Sequence, residues 1–148
     1  MTAGVVIGVG NSFRRDDGVG LAVAAEVARR RIPDVLVIEA TGEPGALLDA
    51  WSGVGLAVVV DAAMGNGVSP GRIRRWTPDE NTSTGQVSSH AIGIPQAFEL
   101  GEALGQLPNR LVVVSIGIAD ASQGPGLSPA VAAAVPTAVD AVLAELGS

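Results

Sequence analysis

The sequence predicts an α/β fold: a mostly parallel, five-stranded sheet covered by helices on both faces, as in a three-layer α/β/α sandwich. Short apolar segments alternate with segments of helical periodicity, and that order is typical of parallel sheets. Segments such as Leu56–Val60 are uniformly apolar, as expected for strands buried on both faces. A chain of 148 residues without a composition break predicts one domain over residues 1–148.

Five segments have the character of strands, because they are apolar, often β-branched, and mostly bounded by turn-forming residues. They are Gly4–Val9, Val35–Glu39, Gly55–Val60, Arg72–Trp76 and Arg110–Ile118. The fourth alternates only weakly, so we expect it to be an edge strand or half of a hairpin.

Four helices are predicted from periodicity and start signals. The first opens at Asp16-Asp17-Gly18 and ends near Arg31. The second starts at Glu43-Pro44-Gly45, with proline in the first turn, where its missing N–H costs nothing. The others cover about Ala91–Leu104 and the segment after Ser128-Pro129. The polar segment Thr77–Ser89 is predicted to be a loop, and its length suggests a function.

Composition excludes several classes of protein. The net charge of −6 disfavours a nucleic-acid partner, and the absence of cysteine removes disulfides, thiolate metal sites and thiol nucleophiles. No uninterrupted apolar run reaches the roughly 18 residues that span a bilayer. The apolar N-terminal segment resembles a strand and turn and lacks the basic start of a signal peptide. We therefore expect a cytoplasmic protein without membrane contact, and a monomer.

Three side chains are candidates for one site. Asp17 follows the first strand and its loop, Asp61 follows the third, and His90, the single histidine, precedes a helix. Since ligands bind beyond the carboxyl ends of parallel strands, we expect the three to meet at that edge of the sheet, near Asn11. Two carboxylates and an imidazole suit a divalent metal such as nickel or zinc.

Each candidate also has a purely structural interpretation. Asp16 or Asp17 could cap the first helix, Asp61 could hold a turn, and His90 could be a surface residue. Their combination in a chain with few charges favours a site, because an aspartate after five apolar residues is costly unless it has a partner.

Two other segments resemble known functional motifs. Gly8-Val9-Gly10-Asn11 suggests a nucleotide-binding α/β domain, but the dinucleotide fingerprint needs a third glycine where the chain has Phe13. Gly67-Val68-Ser69-Pro70-Gly71 has the pattern of a serine hydrolase, but Pro70 lacks the N–H that an oxyanion hole uses.

Three ordered motifs make the chain resemble the hydrogenase maturation endopeptidases. They are Gly8-Val9-Gly10-Asn11 followed by Arg15-Asp16-Asp17-Gly18-Val19-Gly20, then Val59-Val60-Asp61-Ala62, then Ser88-Ser89-His90-Ala91-Ile92-Gly93. The resemblance covers most of the chain and implies an α/β/α sandwich. It also implies a hydrolase that trims the C-terminal tail of the large-subunit precursor of a nickel–iron hydrogenase.

The resemblance further implies that Asp17, Asp61 and His90 bind metal and serve catalysis, and that the metal is nickel carried by the substrate. Some members have glutamate where this chain has Asp17, which leaves open whether Asp16 or Asp17 is the ligand. The segment Ala40–Pro44 also departs from the family pattern, so the hydrogenase that is processed stays open.

The hydrolytic chemistry has two open routes. A metal could polarise the scissile carbonyl or acidify a bound water, or a carboxylate could act as general base while the metal serves recognition. We favour metal-assisted hydrolysis without a covalent intermediate. A non-catalytic metal-sensing or metallochaperone module is the alternative function. The arginines at 14, 15 and 72–75 suggest a grip on a substrate tail, although solvated surface charge is the simpler interpretation.

Overall fold

The computed structural model describes residues 4–41, 43–65, 68–78, 86–88 and 94–147. The strands are β1 Gly4–Val9, β2 Val35–Ala40, β3 Leu56–Gly65, β4 Ile73–Trp76, β5 Gln86–Ser88 and β6 Arg110–Gly117. The helices are α1 Val19–Arg29, α2 Pro44–Trp51, α3 Ile94–Leu104 and α4 Pro129–Leu146. A 3₁₀ turn, Arg15–Gly18, precedes α1.

The main path of the sheet has five strands in the order β2-β1-β3-β6-β4. β1, β2, β3 and β6 are mutually parallel, and β4 lies antiparallel at the edge beside β6. The predicted mostly parallel, five-stranded sheet is therefore confirmed, and so is the edge position of the fourth segment.

One predicted strand end was wrong, and one strand was missed. β3 does not end at Asp61 but continues to Gly65, because β6 pairs with it as far as Ala63 and β5 pairs with its last residues. The short antiparallel strand β5, Gln86–Ser88, lies inside the segment predicted as a loop. The proposed start of the third helix, at 91–93, lies outside the described residues.

Two apolar layers hold the helices on opposite faces of the sheet. On one face α1 and α4 pack over the even-numbered β3 residues Val58 and Val60. On the other, residues of α2 and α3 pack over the odd-numbered Ala57 and Val59. Because successive side chains of a strand point to opposite faces, the uniformly apolar strands supply both layers.

Helix α4 has the length and mean hydropathy, 1.5, of a membrane-spanning helix. Its buried residues, which include Val131, Val139 and Val142, belong to the core layer shared with α1. One face of α4 therefore packs on the core, and 28% of its residues are buried.

Glycines allow α1 to approach the sheet closely. A Cβ on Gly8 would lie 2.5 Å from the carbonyl oxygen of Gly20 and 2.6 Å from the Cβ of Ala24. A Cβ on Gly20 would collide with the carbonyl oxygen of Val60 and would lie 2.5 Å from that of Val9. Any side chain at these positions would force α1 away from β1 and β3.

The Asp16 carboxylate joins the 3₁₀ turn to the segment between β6 and α4. It is fully buried and accepts backbone N–H bonds from Ala119 and Asp120, both at 3.0 Å, and from Ser128 at 2.6 Å. The Ser128 hydroxyl donates to it as well, at 2.9 Å. Ser128 is the N-cap residue of α4, but its side chain makes no cap hydrogen bond.

These bonds control the ionisation of Asp16. Burial raises the pKa of its carboxyl group, but the hydrogen bonds from Ser128 and the two other N–H groups outweigh burial. The net pKa lies below the ordinary value of 3.8, because the bonds stabilise the charged form.

The first prediction contrasts two glycines. Gly20→Ala should lower the free energy of unfolding by about 1–3 kcal/mol or more, because its Cβ meets backbone atoms that cannot rotate away. Gly45→Ala, in the first turn of α2 with nothing within 4 Å of its Cβ, should raise it by about 0.5 kcal/mol. Urea unfolding of both variants measures the two values, and destabilisation of equal size would contradict this account of the α1 contact.

The second prediction concerns Asp16→Asn, which should lose roughly 2–4 kcal/mol of unfolding free energy at neutral pH through weakened charge-assisted bonds. The folded-state pKa is lowered, so this contribution is present above the unfolded pKa. It is lost as the pH falls from 3.8 through the folded value. The gap to wild type, measured by urea unfolding, should therefore shrink in acid. Asp49→Asn, at an exposed residue of α2, is the control and should show no gap at any pH.

Candidate functional site

The strand order creates a crevice between β1 and β3. The chain leaves β1 through α1 toward β2 on one side, whereas the later strands β6 and β4 lie on the other side of β3. Neighbouring parallel strands whose connections leave in opposite directions form a topological switch point, where ligands bind beyond the carboxyl ends.

Asp17 lies at the β1 side of this crevice. Its side chain is fully buried, and its Oδ2 accepts a hydrogen bond from the backbone N–H of Asn11 at 3.0 Å. Its carbonyl oxygen occupies the place that a Cβ on Gly10 would take, so the turn rests on the end of β1. The N-cap residue of α1 is Gly18, without a side-chain cap bond, so the alternative in which Asp16 or Asp17 caps this helix does not hold.

Asp61 lies at the β3 side. It is 3% exposed, and its Oδ1 accepts from the N–H of Ala62 at 2.9 Å. The preceding residue, Val60, pairs with Gly8 one position before the end of β1. Asp61 is therefore level with the end of β1 even though β3 continues beyond it. By strand alternation its side chain points to the face of α2 and α3.

The structure brings the two carboxylate-bearing segments to one edge of the sheet. The 3₁₀ turn that holds Asp17 contacts β3, and Gly20, three residues later, abuts the carbonyl of Val60. Both aspartates are buried at this switch point, and carboxylate oxygens are ligands that divalent cations accept.

His90, the third candidate, lies outside the described residues, so its predicted place in the site has no structural test here. Within the part of the chain that the structure describes, no three His, Asp or Glu side chains are grouped to hold a metal ion. A metal site made of Asp17, Asp61 and His90 therefore remains a prediction.

The neighbouring aspartates have different surroundings. Both oxygens of Asp16 are engaged by the 119–128 segment, which gives Asp16 a structural task. Asp17 instead faces Asn11 at the end of β1. The structure thus gives Asp16 the link to the 119–128 segment and places Asp17 against the end of β1.

Sequence reasoning missed Ser115, a buried hydroxyl in the apolar strand β6. It pairs with Asp61 in the sheet register, and its Oγ accepts from the indole N–H of Trp76 at 2.8 Å. By alternation it lies on the same face as Asp61. The signal was available, since one polar residue interrupts an otherwise apolar run.

The structure gives both rejected motifs other roles. In the glycine motif, Gly8 and Gly10 admit the chain's own backbone, from α1 and from Asp17, where a dinucleotide loop would admit a pyrophosphate. Ser69 is followed by a turn into strand β4 rather than by a helix, so a nucleophile elbow is absent there.

The comparisons with known proteins agree with this architecture. A family model, HycI, described as hydrogenase maturation protease, matches residues 21–145. The chain is 29% identical over 151 residues to the hydrogenase expression/formation protein HupD of Bradyrhizobium diazoefficiens, across 97% of this chain and 79% of that protein.

Two relatives from Escherichia coli are also similar. The hydrogenase 2 maturation protease is 27% identical over 146 residues, across 96% of this chain and 89% of that protein. The solved structure of the hydrogenase maturating endopeptidase HybD superposes with a TM-score of 0.81 at 22% identity, across 97% of this chain and 91% of that chain. The chain therefore belongs to the hydrogenase maturation protease family and is an endopeptidase of the hydrolase class.

Proposed function

We propose that this protease removes the C-terminal tail of the large-subunit precursor of a nickel–iron hydrogenase after nickel has been inserted. In this proposal Asp17, Asp61 and His90 contact nickel that the substrate carries. The observation that supports it most is the placement of two buried carboxylates, on β3 and on the turn after β1, at one switch point.

The pairing of β3 with β5 supports the inclusion of His90. Ser88 is the Cα partner of Ala63, which follows Asp61 by two residues. His90 follows Ser88 by two residues, and two residues of chain span at most about 7 Å. The described part of β5 thus ends two residues before His90 in the sequence, beside the strand that carries Asp61.

The proposal that the substrate carries the nickel is consistent with the small number of ligands that the protease itself would supply. Two carboxylates and one imidazole leave coordination positions for ligands from the precursor, and borderline divalent metals accept such O and N donors. The protease then discriminates between loaded and unloaded precursors, since only the loaded form presents a cation to the paired negative charges.

Peptide hydrolysis in this site proceeds without a covalent intermediate. Water adds its oxygen to the scissile carbonyl carbon, its proton passes to a base, and the departing amine takes up a proton as the C–N bond breaks. The chain has no cysteine and one histidine, so a Cys–His nucleophile pair is excluded. A carboxylate of the pair is suited to act as the base, and trapping of an acyl-enzyme during turnover would contradict this mechanism.

The cellular setting follows from the substrate. A protease that acts on a hydrogenase precursor during metal loading works where the precursor is assembled, and we propose the cytoplasm. We also propose that it acts as a monomer, because the crevice is formed by strands of a single chain.

The third prediction concerns the three site residues. Asp17→Asn, Asp61→Asn and His90→Ala should each lower the rate of tail removal by at least about a hundredfold, as for loss of a catalytic acid–base or ligand group. Incubation with a nickel-loaded precursor, followed by mass measurement of its C-terminus, gives the rate. Asp49→Asn is the matched control and should cleave as wild type does.

Thermal unfolding of the same proteins separates chemistry from folding. Variants that remain folded and inactive support the assignment, whereas three folded and active variants would contradict it. A loss of activity that accompanies unfolding would assign the carboxylates a structural role instead.

The fourth prediction concerns the timing of cleavage. The wild-type protein should process the nickel-loaded precursor and leave the nickel-free precursor intact, because the site binds the cation that the substrate brings. Equal rates on the two forms, measured under metal-free buffer conditions, would show that nickel has no part in recognition.

A further inference from the structure

Phe13 is the most exposed large hydrophobic residue in the described part of the chain, at 77% exposure. The chain contains two Phe, two Trp and no Tyr. Trp51 is fully buried, and Trp76 and Phe98 pack against the core. Phe13 is thus the aromatic side chain that the fold does not use.

A single exposed hydrophobic residue is common on protein surfaces, so its position decides whether it has a role. Phe13 lies two residues from Asn11, whose Oδ1 accepts the Phe13 backbone N–H at 2.9 Å. The backbone N–H of Asn11 in turn donates to Asp17 Oδ2 at 3.0 Å. Two consecutive hydrogen-bonded links therefore connect Phe13 with a carboxylate of the candidate site.

The loop that presents Phe13 is held firmly from the other side. The Phe13 carbonyl accepts the N–H of Gly124 at 2.8 Å, and the N–H of Arg15 donates to the Gly124 carbonyl at 2.9 Å. The Arg14 guanidinium donates to the carbonyl of Ala121 at 3.2 Å. The Arg15 side chain, through Nε, also donates to Ser122 Oγ at 3.2 Å, so both arginines that follow Phe13 bond within the chain.

A rigidly held, exposed aromatic side chain is suited to binding a partner. Its backbone is already ordered, so little conformational entropy is lost on contact, and its ring gains by leaving water. Aromatic side chains of this kind often dominate the affinity of protein interfaces.

We infer that Phe13 is a substrate-binding residue, which docks on an apolar patch of the hydrogenase precursor while the scissile peptide lies at Asp17 and Asp61. This inference rests on the proposed function, because the precursor is the partner that must approach this edge of the sheet. Phe13 sets affinity and orientation and takes no part in the proton transfers.

The fifth prediction separates affinity from chemistry. Phe13→Ala should raise KM for the nickel-loaded precursor by at least about tenfold, the loss expected for an interface anchor, and should leave kcat within about twofold. Phe13→Leu, which retains most of the apolar surface, should recover most of the affinity. Initial rates over a range of precursor concentrations give both constants.

Leu104→Ala is the matched control. Leu104 is 57% exposed at the end of α3, just before the chain enters β6, and so lies toward the opposite edge of the sheet. It should leave KM unchanged, and none of the three variants should alter the midpoint of thermal unfolding, because both side chains are exposed.

The outcomes distinguish the two proposals. Active wild-type protein with an unchanged KM for Phe13→Ala would contradict the Phe13 contact and leave the proposed function standing. An equal rise in KM for Leu104→Ala would also contradict it, since the effect would not be specific to this edge. If wild-type protein leaves the nickel-loaded precursor intact, the proposed function is contradicted, and the proposed Phe13 contact is contradicted as well.

Discussion

Helix α1 can begin against the ends of β1 and β3 because two residues at the contact, Gly8 and Gly20, are glycines. A Cβ on either one would collide with backbone atoms of the other element. The contact is between backbone atoms, which cannot rotate away as a side chain could. Asp17 lies in the turn that precedes this contact. Asp61 directly follows Val60, whose carbonyl oxygen faces Gly20. The position of both carboxylates therefore depends on backbone packing, and the side chains need no contact with each other to be held at one edge.

The adjacent aspartates Asp16 and Asp17 bind different parts of the structure. Asp16 turns inward and binds the segment before α4 through four hydrogen bonds, and Asp17 lies against the end of β1. The cost of burying Asp16 is offset by its donors, as its lowered pKa indicates. The same donors anchor the 119–128 segment, which in turn holds the backbone of Phe13 and Arg15 through Gly124.

Much of the fold could be predicted because its signals are local. The uniform apolar strands, the spacing of Val19, Val23 and Val27, and Pro44 in the first turn each specify an element from nearby residues. The strand β5 could not be predicted, because Gln86–Ser88 is only three residues long, lies in a polar segment, and depends on the end of β3 for its pairing. The extension of β3 past Asp61 was missed because it depends on pairing with β6 and β5, which are distant in the sequence.

The candidate site shows a similar division. The location of the site at one edge of the sheet could be predicted from the order of strands and helices, since the carboxyl ends of parallel strands meet there. The separate tasks of Asp16 and Asp17 depend on a segment about a hundred residues away, and sequence position alone cannot assign them. Ser115 carried a visible signal, although its relation to Asp61 depends on the pairing of β3 with β6.

The register of β3 has a consequence for how this family can change. Successive side chains of a strand point to opposite faces of the sheet. Asp61 therefore lies on the α2 and α3 face only if the number of residues between it and Leu56 changes by an even number or not at all. Insertion or deletion of one residue within that stretch would transfer the carboxylate into the apolar layer under α1 and α4, whereas a length change beyond Gly65 would leave it in place. A change in chain length is thus tolerated after Gly65 but not within the strand segment from Leu56 to Asp61.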